Sequence, residues 1–334
     1  MKALVLGCGS IGIRHIGHLF QLGLTDIWAA DPDFEKRQQA TGLYGIPLYS
    51  DAEDALQMGP DIVLVCTPAY AHVPMASKAL EADAHVFIEK PLSTNIDGTD
   101  LLLQSGKDRK KTVQVGYNLR FHPAMRAMKR IAQSGRLGQI HMAHAEFGLY
   151  LSKWWPGRDY RDSYMARADL SGGLLMDASH EIDLLLWYLG GVQKVAAFGG
   201  KLSSLEIDGA DAVKVIMKMD SGAVASLHLD CLQPTYTRVC TLIGEGTRLR
   251  WECPKGRADT SLGRLQMFDQ CADDYKRVRL RGRPEDTYIE ELRDFLNCVQ
   301  TGREPLVGLK EGIEVLRVIE AIAEAILTSR EVEV

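Results

Sequence analysis

Ala3-Leu4-Val5-Leu6-Gly7-Cys8-Gly9-Ser10-Ile11-Gly12 sets a short apolar run directly before a G-x-G-x-x-G turn. A strand that stops at such a turn and continues as a helix builds a phosphate cradle. Gly7 permits the tight turn, Gly9 lets the backbone approach a pyrophosphate closely, and Gly12 lets the helix lie against the strand. Ser10 and Ile11 open that helix, whose unpaired N–H groups and partial positive charge point at the anion.

Context turns a common pattern into a specific one, because a chain with 31 glycines produces some matches by chance. Downstream, Ile13, Ile16 and Phe20 fall at helical spacing, Gly23 is placed to end the helix, and Asp26 to Ala30 reads as a second strand. Asp31 closes that strand at about the 20-residue distance at which an acidic group meets the adenosine ribose. A carboxylate there repels a 2′-phosphate, so NAD is expected over NADP; Lys36 and Arg37, close behind, soften that preference. The competing interpretation is a glycine-rich turn of an unrelated α/β domain with Asp31 as a helix cap. Strand, turn, helix and acid in the required order weigh against it.

The 334 residues, 46% of them hydrophobic, are enough for two domains with separate cores. A net charge of −5 gives no general attraction to nucleic acid or anionic membrane. No apolar run approaches the roughly 20 residues of a membrane span and no targeting segment is visible, so a cytoplasmic protein is expected. Seven cysteines without a C-x-x-C pair fit reduced thiols better than a disulfide framework or a zinc site, and no metal is expected.

Strand and helix signals alternate as far as Thr112 to Gly116, with Asp61 to Val65 a continuous apolar strand of the kind buried in a parallel sheet. This predicts an N-terminal doubly wound Rossmann domain over residues 1–118. Beyond it the grammar changes. After a helix from Pro123 to Gln133 come long alternating strands at 139–148, 194–202, 212–219, 223–231 and 236–244. In the third, Val213, Val215, Met217 and Met219 share one face, Lys214 and Lys218 the other, and Asp220-Ser221-Gly222 turns into the next strand. Residues 119–334 are therefore expected to form an α+β domain with a large, mainly antiparallel open sheet, closed by helices at 288–299 and 311–326.

Cofactor binds outside the C-terminal ends of parallel strands, so the chemistry is sought just after them, where the two domains are expected to meet. Cys66-Thr67-Pro68-Ala69-Tyr70-Ala71-His72 follows one strand and Glu89-Lys90-Pro91 the next. Lys90 can steady a hydroxyl or alkoxide; spacing alone leaves equally open a surface lysine paired with Glu89. The second candidate is Ser171-Gly172-Gly173-Leu174-Leu175-Met176-Asp177-Ala178-Ser179-His180-Glu181-Ile182-Asp183. Ser179 or Asp177 can cap the helix that follows, placing His180 in the first turn, where the helix dipole keeps the imidazole available as a base. Asp177 or Asp183 could orient it. Such a histidine contributes roughly 10²–10⁴ in rate; a structural histidine in a capped helix remains the alternative.

Gly7-x-Gly9-x-x-Gly12, Thr67-Pro68 with His72, Glu89-Lys90-Pro91, Gly116-Tyr117-Asn118-x-Arg120-Phe121-x-Pro123 and Gly172-Gly173 with Asp177, His180 and Asp183 occur in order. With Glu291, Phe295, Gly302 and Pro305, they resemble the glucose-fructose oxidoreductase, inositol dehydrogenase and MocA (Gfo/Idh/MocA) family across nearly the whole chain. The resemblance implies an oxidoreductase that binds NAD or NADP in its N-terminal domain, acts on a carbohydrate-like substrate, and assembles as a dimer or tetramer through the open sheet face. It implies that Lys90 and His180 are catalytic, and that Thr67, Pro68, His72, Glu89 and Lys90 join the glycine turn and Asp31 in holding the cofactor. It further implies that Lys90, Asn118, Arg120, Asp177 and His180 contact substrate. One departure matters: many relatives place the aspartate four residues before the histidine, whereas Asp177 precedes His180 by three. Both spacings leave the pair on one face of a helix, and Asp177 is left as catalytic partner, cap or substrate ligand.

Tyr150 to Arg161 mixes aromatic rings with arginines, and Trp155, Arg158 and Tyr160 would suit a sugar, including a nucleotide-linked or acidic one; a loop anchored by buried tryptophans accounts for it equally well. Arg277, Arg279, Arg281 and Arg283 fall on one face of a presumed strand and read mainly as a solvated or subunit-facing surface, with polyanion binding the lesser alternative beside the acidic Asp273 and Asp274. The expected activity is hydride transfer between a nicotinamide and a secondary alcohol or ketone of a sugar, sugar derivative or cyclitol. Reduction of a non-sugar diol or imine and a non-catalytic dinucleotide sensor are the alternatives.

Overall fold

Four consecutive buried residues make up each of the strands Ala3–Leu6, Ile27–Ala30 and Ile62–Val65, which is the signature of a sheet covered on both faces. The computed structural model describes residues 1–154, 157, 159–163, 165–166, 173–253, 258, 261–270 and 273–334. In chain order the first elements are β1 (Ala3–Leu6), α1 (Ser10–Gln21), β2 (Ile27–Ala30), α2 (Phe34–Tyr44), β3 (Leu48–Tyr49), α3 (Ala52–Leu56), β4 (Ile62–Val65), α4 (His72–Glu81), β5 (His85–Glu89), α5 (Thr99–Asp108) and β6 (Val113–Gly116). The strands form a parallel sheet of order β3-β2-β1-β4-β5-β6, in which Ala3 of β1 stands in register with both Ile27 and Ile62. The order reverses at β1, so the turns leaving β1 and β4 flank the switch point where a doubly wound sheet binds its ligand.

The next elements are α6 (Pro123–Gln133), β7 (Ile140–Gly148), α7 (Leu174–Asp177), α8 (Ser179–Leu189), β8 (Val192–Gly200), β9 (Ala212–Met219), β10 (Val224–Asp230), β11 (Thr237–Gly244), β12 (Thr247–Glu252), β13 (Arg264–Asp269) and β14 (Asp274–Arg277). Last come α9 (Thr287–Thr301), α10 (Leu309–Thr328) and β15 (Val332–Glu333). The second sheet runs β14-β13-β12-β11-β7-β10-β9-β8-β15, antiparallel except where β7 and β10 lie parallel. Along β9 the residues Val213, Val215, Met217 and Met219 are buried while Lys214, Ile216 and Lys218 are exposed. The buried face packs beneath α8, which contacts β7 and β10. His122 caps α6: its Nδ1 accepts the Ala124 N–H at 3.2 Å, and Pro123 occupies the first helical position.

Two compact units result, Met1–Tyr117 with Tyr288–Leu316, and Asn118–Thr287 with Arg317–Val334. The segment Tyr288–Leu316, placed by the sequence reading in the second domain, belongs to the first unit. Leu292, Phe295 and Leu296, at the helical i, i+3, i+4 spacing, join the core of Ala3, Val5, Ile16 and Phe87. The Phe87 and Phe295 rings meet edge to face, centroids 5.9 Å apart. The strand expected to carry four arginines ends at Arg277, so Arg279, Arg281 and Arg283 share no strand face with it; Arg283 pairs instead with Asp286. Among the described residues no helix is long and apolar enough to cross a membrane. Cys8, Cys66, Cys231, Cys240 and Cys298 are buried reduced thiols, and burial pushes Cys240 up to about 12.

Candidate functional site

The turn after β1 has no room for side chains on its inner side. Gly7 has φ +99°, and a Cβ there would stand 2.5 Å from the Cys66 carbonyl oxygen at the end of β4. At Gly12 a Cβ would meet the Gly7 oxygen at 1.9 Å. Gly9 is the opposite case: a Cβ would touch nothing within 4 Å, because the space over the turn is open. Gly9 is also the cap residue of α1, and neither a capping side chain nor an acidic residue occupies the first turn of that helix. The N–H groups of Ser10, Ile11 and Gly12 thus begin a helix whose positive end is left for an outside anion.

Asp31 sits at the end of β2, buried, with Oδ2 accepting the Cys8 N–H at 2.8 Å and Oδ1 accepting the Asp33 N–H at 2.9 Å. One carboxylate therefore fixes the glycine turn while its remaining lone pairs are available to a ribose hydroxyl. Burial, with Asp31 adding to it, pushes the Cys8 thiol up to about 11, so it stays protonated. Arg37 directs its guanidinium to the Asp31 and Pro32 carbonyls, and Lys36 pairs with Asp33. Both cations expected to soften the NAD preference are thereby engaged at the rim. Thr67 Oγ1 is buried with no partner among the described residues, beside exposed Pro68. An open cradle, a ribose-competent carboxylate and an orphan hydroxyl together fit a dinucleotide.

Lys90 is half-buried at the end of β5, and the Lys90–Pro91 peptide is cis. Glu89 and His72, both expected to hold the cofactor, are buried and engaged with other groups of the chain. Glu89 is buried, with Oε1 2.6 Å from His15 Nε2 and Oε2 accepting the Lys90 N–H at 3.1 Å. His72 is buried with Nδ1 2.8 Å from the Pro91 oxygen and Nε2 2.8 Å from the Thr67 oxygen. Burial lowers the His72 pKa and favours the neutral ring. The sequence reading missed His15. Its signal was present: it shares the buried stripe of α1 with Gly12, Ile16 and Leu19, where an imidazole requires a partner.

In the second unit, Asp177 ends α7 and His180 lies in the first turn of α8, both half-buried. The chain turns between them at Ala178, so they do not lie on one continuous helix as expected. Ala178 is itself the cap residue of α8, with no capping side chain, and Ser179 Oγ is buried with no partner among the described residues, so Ser179 does not cap the helix as expected. Two ion pairs hold α8 in the turn that follows His180. Arg238 grips Glu181 through Nε at 2.6 Å and Nη2 at 3.1 Å. Arg120 grips Asp183 through Nε at 3.0 Å and Nη2 at 2.8 Å. Arg120, expected to contact substrate, is buried and holds the histidine's helix through Asp183. Asn118 is likewise buried, donating to Thr287 Oγ1 at 3.1 Å. The Tyr160 hydroxyl accepts the Glu206 N–H at 3.2 Å. Trp155, Arg158, Ser171 and Gly172 lie outside the described residues.

Residues 1–117 match the model of an oxidoreductase family with an NAD-binding Rossmann fold, and residues 125–250 match the GFO/IDH/MocA C-terminal domain. Myo-inositol 2-dehydrogenase of Thermotoga maritima is 26% identical, covering 93% of this chain and 92% of that protein. D-xylose 1-dehydrogenase (NADP(+)) 2 of Haloferax volcanii is 27% identical over 98% of each chain. The WlbA dehydrogenase of Bordetella pertussis, solved with NADH and UDP-GlcNAcA, has a TM-score of 0.84 at 23% identity, covering 100% of this chain and 98% of that one. This last likeness is one of fold.

Proposed function

The chain belongs to the GFO/IDH/MocA family of NAD-binding oxidoreductases, and from that premise we propose that it is an NAD-dependent dehydrogenase or reductase of a sugar, sugar derivative or cyclitol. The observation that carries the reading is the glycine turn at Gly7–Gly12, which has no room for a Cβ at Gly7 or Gly12, is tied by Asp31, and follows a strand of the same sheet as the one that precedes Lys90. The names of the inositol and xylose dehydrogenases support a polyhydroxylated substrate. Asp31 favours NAD, since a carboxylate at the ribose repels a 2′-phosphate.

When bound, the dinucleotide supplies the hydride chemistry. The amides of Ser10, Ile11 and Gly12 would hold its pyrophosphate, Asp31 its ribose, and Thr67 and Pro68 would line the edge. In the oxidative direction His180 removes the hydroxyl proton from the substrate, and Lys90 stabilises the developing alkoxide with its positive charge. Asp177 is assigned to the substrate. Arg120 and Asn118 act as supports of their own unit. The protein is expected in the cytoplasm and as a homodimer or tetramer. Support for self-association is the cross-strand group Met142, Ile243 and Val224, which is 53%, 38% and 40% exposed on the open sheet face.

A screen of inositols, free sugars, sugar acids and nucleotide sugars with NAD and with NADP tests the reading. Turnover that survives both Lys90→Ala and His180→Ala would refute the mechanism. NADP preferred to NAD would overturn the role of Asp31, and no turnover with any compound would favour a dinucleotide sensor.

A further inference from the structure

We propose that His15 is a positioning residue for Lys90, acting through the Glu89 carboxylate; the inference rests on the reading of Lys90 given above. His15 is fully buried on α1, one turn beyond Gly12. Its Nε2 lies 2.6 Å from Glu89 Oε1. A carboxylate only accepts, so Nε2 carries the proton and donates. The ring is fixed from the sides by Phe87, centroid 5.3 Å away, and by Tyr288 at 6.1 Å. Nδ1 is buried with no partner among the described residues, so the ring's one strong attachment is to Glu89.

The second oxygen of Glu89 accepts the Lys90 backbone N–H at 3.1 Å. Space for that oxygen comes from Gly116 at the end of β6, where a Cβ would stand 3.3 Å from it. The carboxylate thus joins the helix that begins at the phosphate cradle to the backbone from which the Lys90 side chain departs. On the other side of Lys90, the Pro91 carbonyl is met by His72 Nδ1 at 2.8 Å. A lysine whose two neighbours are each anchored to a buried imidazole has its starting point fixed, while its own flexible stem does the reaching. A displacement of about 1 Å at a reacting group is enough to lower a rate roughly 10²-fold.

The test compares His15→Leu, His15→Gln, Glu89→Ala and Lys90→Ala in the full chain. The amide nitrogen of Gln reaches about where the imidazole Nε2 does, so His15→Gln is the conservative rescue. In the protein without added nucleotide, hydrogen–deuterium exchange at the Lys90 amide is expected to rise about tenfold or more in His15→Leu and Glu89→Ala and to stay near wild type in His15→Gln. With the best-turned-over compound of the screen above, His15→Leu is expected to lower kcat about 10²-fold. Its NAD Kd and substrate KM should stay within about threefold of wild type, with kcat largely restored in His15→Gln. Unchanged exchange at Lys90, an unchanged kcat, or a loss that Gln does not rescue would overturn the proposal. If His15→Leu does not fold, Glu89→Ala and His15→Gln carry the same comparison. Lys90→Ala separates the two readings: full turnover there removes Lys90 from the chemistry, while the exchange measurement still decides whether His15 braces it.

Discussion

Replacing Gly9 by Ala separates what the glycine turn does for folding from what it does for binding. Gly9 has φ −70° and ψ −175°, an extended conformation open to any residue, and the added methyl meets no protein atom within 4 Å. The folded state is therefore unstrained, and the reduced freedom of the unfolded chain stabilises the variant by about 0.4–1 kcal/mol. The same methyl projects into the open space above the first turn of α1, where a pyrophosphate must come within hydrogen-bonding distance of backbone N–H groups. Forcing it outwards by the breadth of a methyl removes at least one hydrogen bond to a charged group, about 1.5–3 kcal/mol. At 1.4 kcal/mol per decade this is roughly a 10- to 150-fold rise in Kd. Calorimetric titration with NAD and urea unfolding on the same preparation measure both quantities. Gly12→Ala is the contrasting arm: its methyl would lie 1.9 Å from the Gly7 oxygen, so stability and binding should fall together. Wild-type affinity in Gly9→Ala, or a clear loss of its stability, would refute the assignment of that open space to the phosphates.

Burial holds the His122 pKa down, from 6.5 to about 4. As pH falls below 6.5 the unfolded chain takes up a proton that the folded chain refuses, so stability is lost between about pH 6.5 and 4, with about 2 kcal/mol gone by pH 5. His122→Asn keeps an acceptor for the Ala124 N–H and should flatten that part of the pH profile of the unfolding midpoint; an unchanged profile counts against it. Asp183→Asn leaves Arg120 buried without its counter-charge and is expected to destabilise by about 3–5 kcal/mol, much of it recovered in Asp183→Leu with Arg120→Met, by urea unfolding. Asp31→Asn keeps one acceptor but removes the charge, and should reduce the NAD-over-NADP affinity ratio about tenfold. Met142→Glu should shift the mass measured by light scattering towards the monomer; an unaltered mass would argue against the open sheet face as the contact.

The parallel sheet was legible because its strands are continuous apolar runs punctuated by glycine and acid at fixed offsets, and such local signals survive without tertiary information. The outer strands of the second sheet were not. β12 and β13 carry the two-residue alternation, Leu249 and Trp251 then Leu265 and Met267, but over only six residues each, and β14 is exposed along its whole length, so hydrophobicity does not separate it from loop. Tyr288–Leu316 shows another limit: helical periodicity predicts that Leu292 and Phe295 are buried, but not which core receives them. At the site, Lys90 and His180 are candidates from position and residue type alone. For Arg120, Glu89 and His72 the sequence carries no sign of the buried partners they have, Asp183, His15 and the Pro91 and Thr67 carbonyls, since a charge that meets a ligand and one that meets a distant buried partner look the same in sequence. Asp183 lies 63 positions from Arg120, and His15 lies 74 from Glu89.

The double duty of Asp31 constrains any attempt to change coenzyme. The inner side of the glycine turn is filled by backbone, so redesign is confined to the rim between Asp31 and Arg37. Yet Asp31, the residue proposed to discriminate at that rim, also ties the Cys8 amide at 2.8 Å. An apolar replacement would exchange selectivity for a disordered turn and lower affinity for both coenzymes. A short hydroxyl side chain that still accepts from Cys8, combined with release of Arg37 from the Asp31 and Pro32 carbonyls, is the substitution path along which an NADP-using descendant of this chain would have to travel.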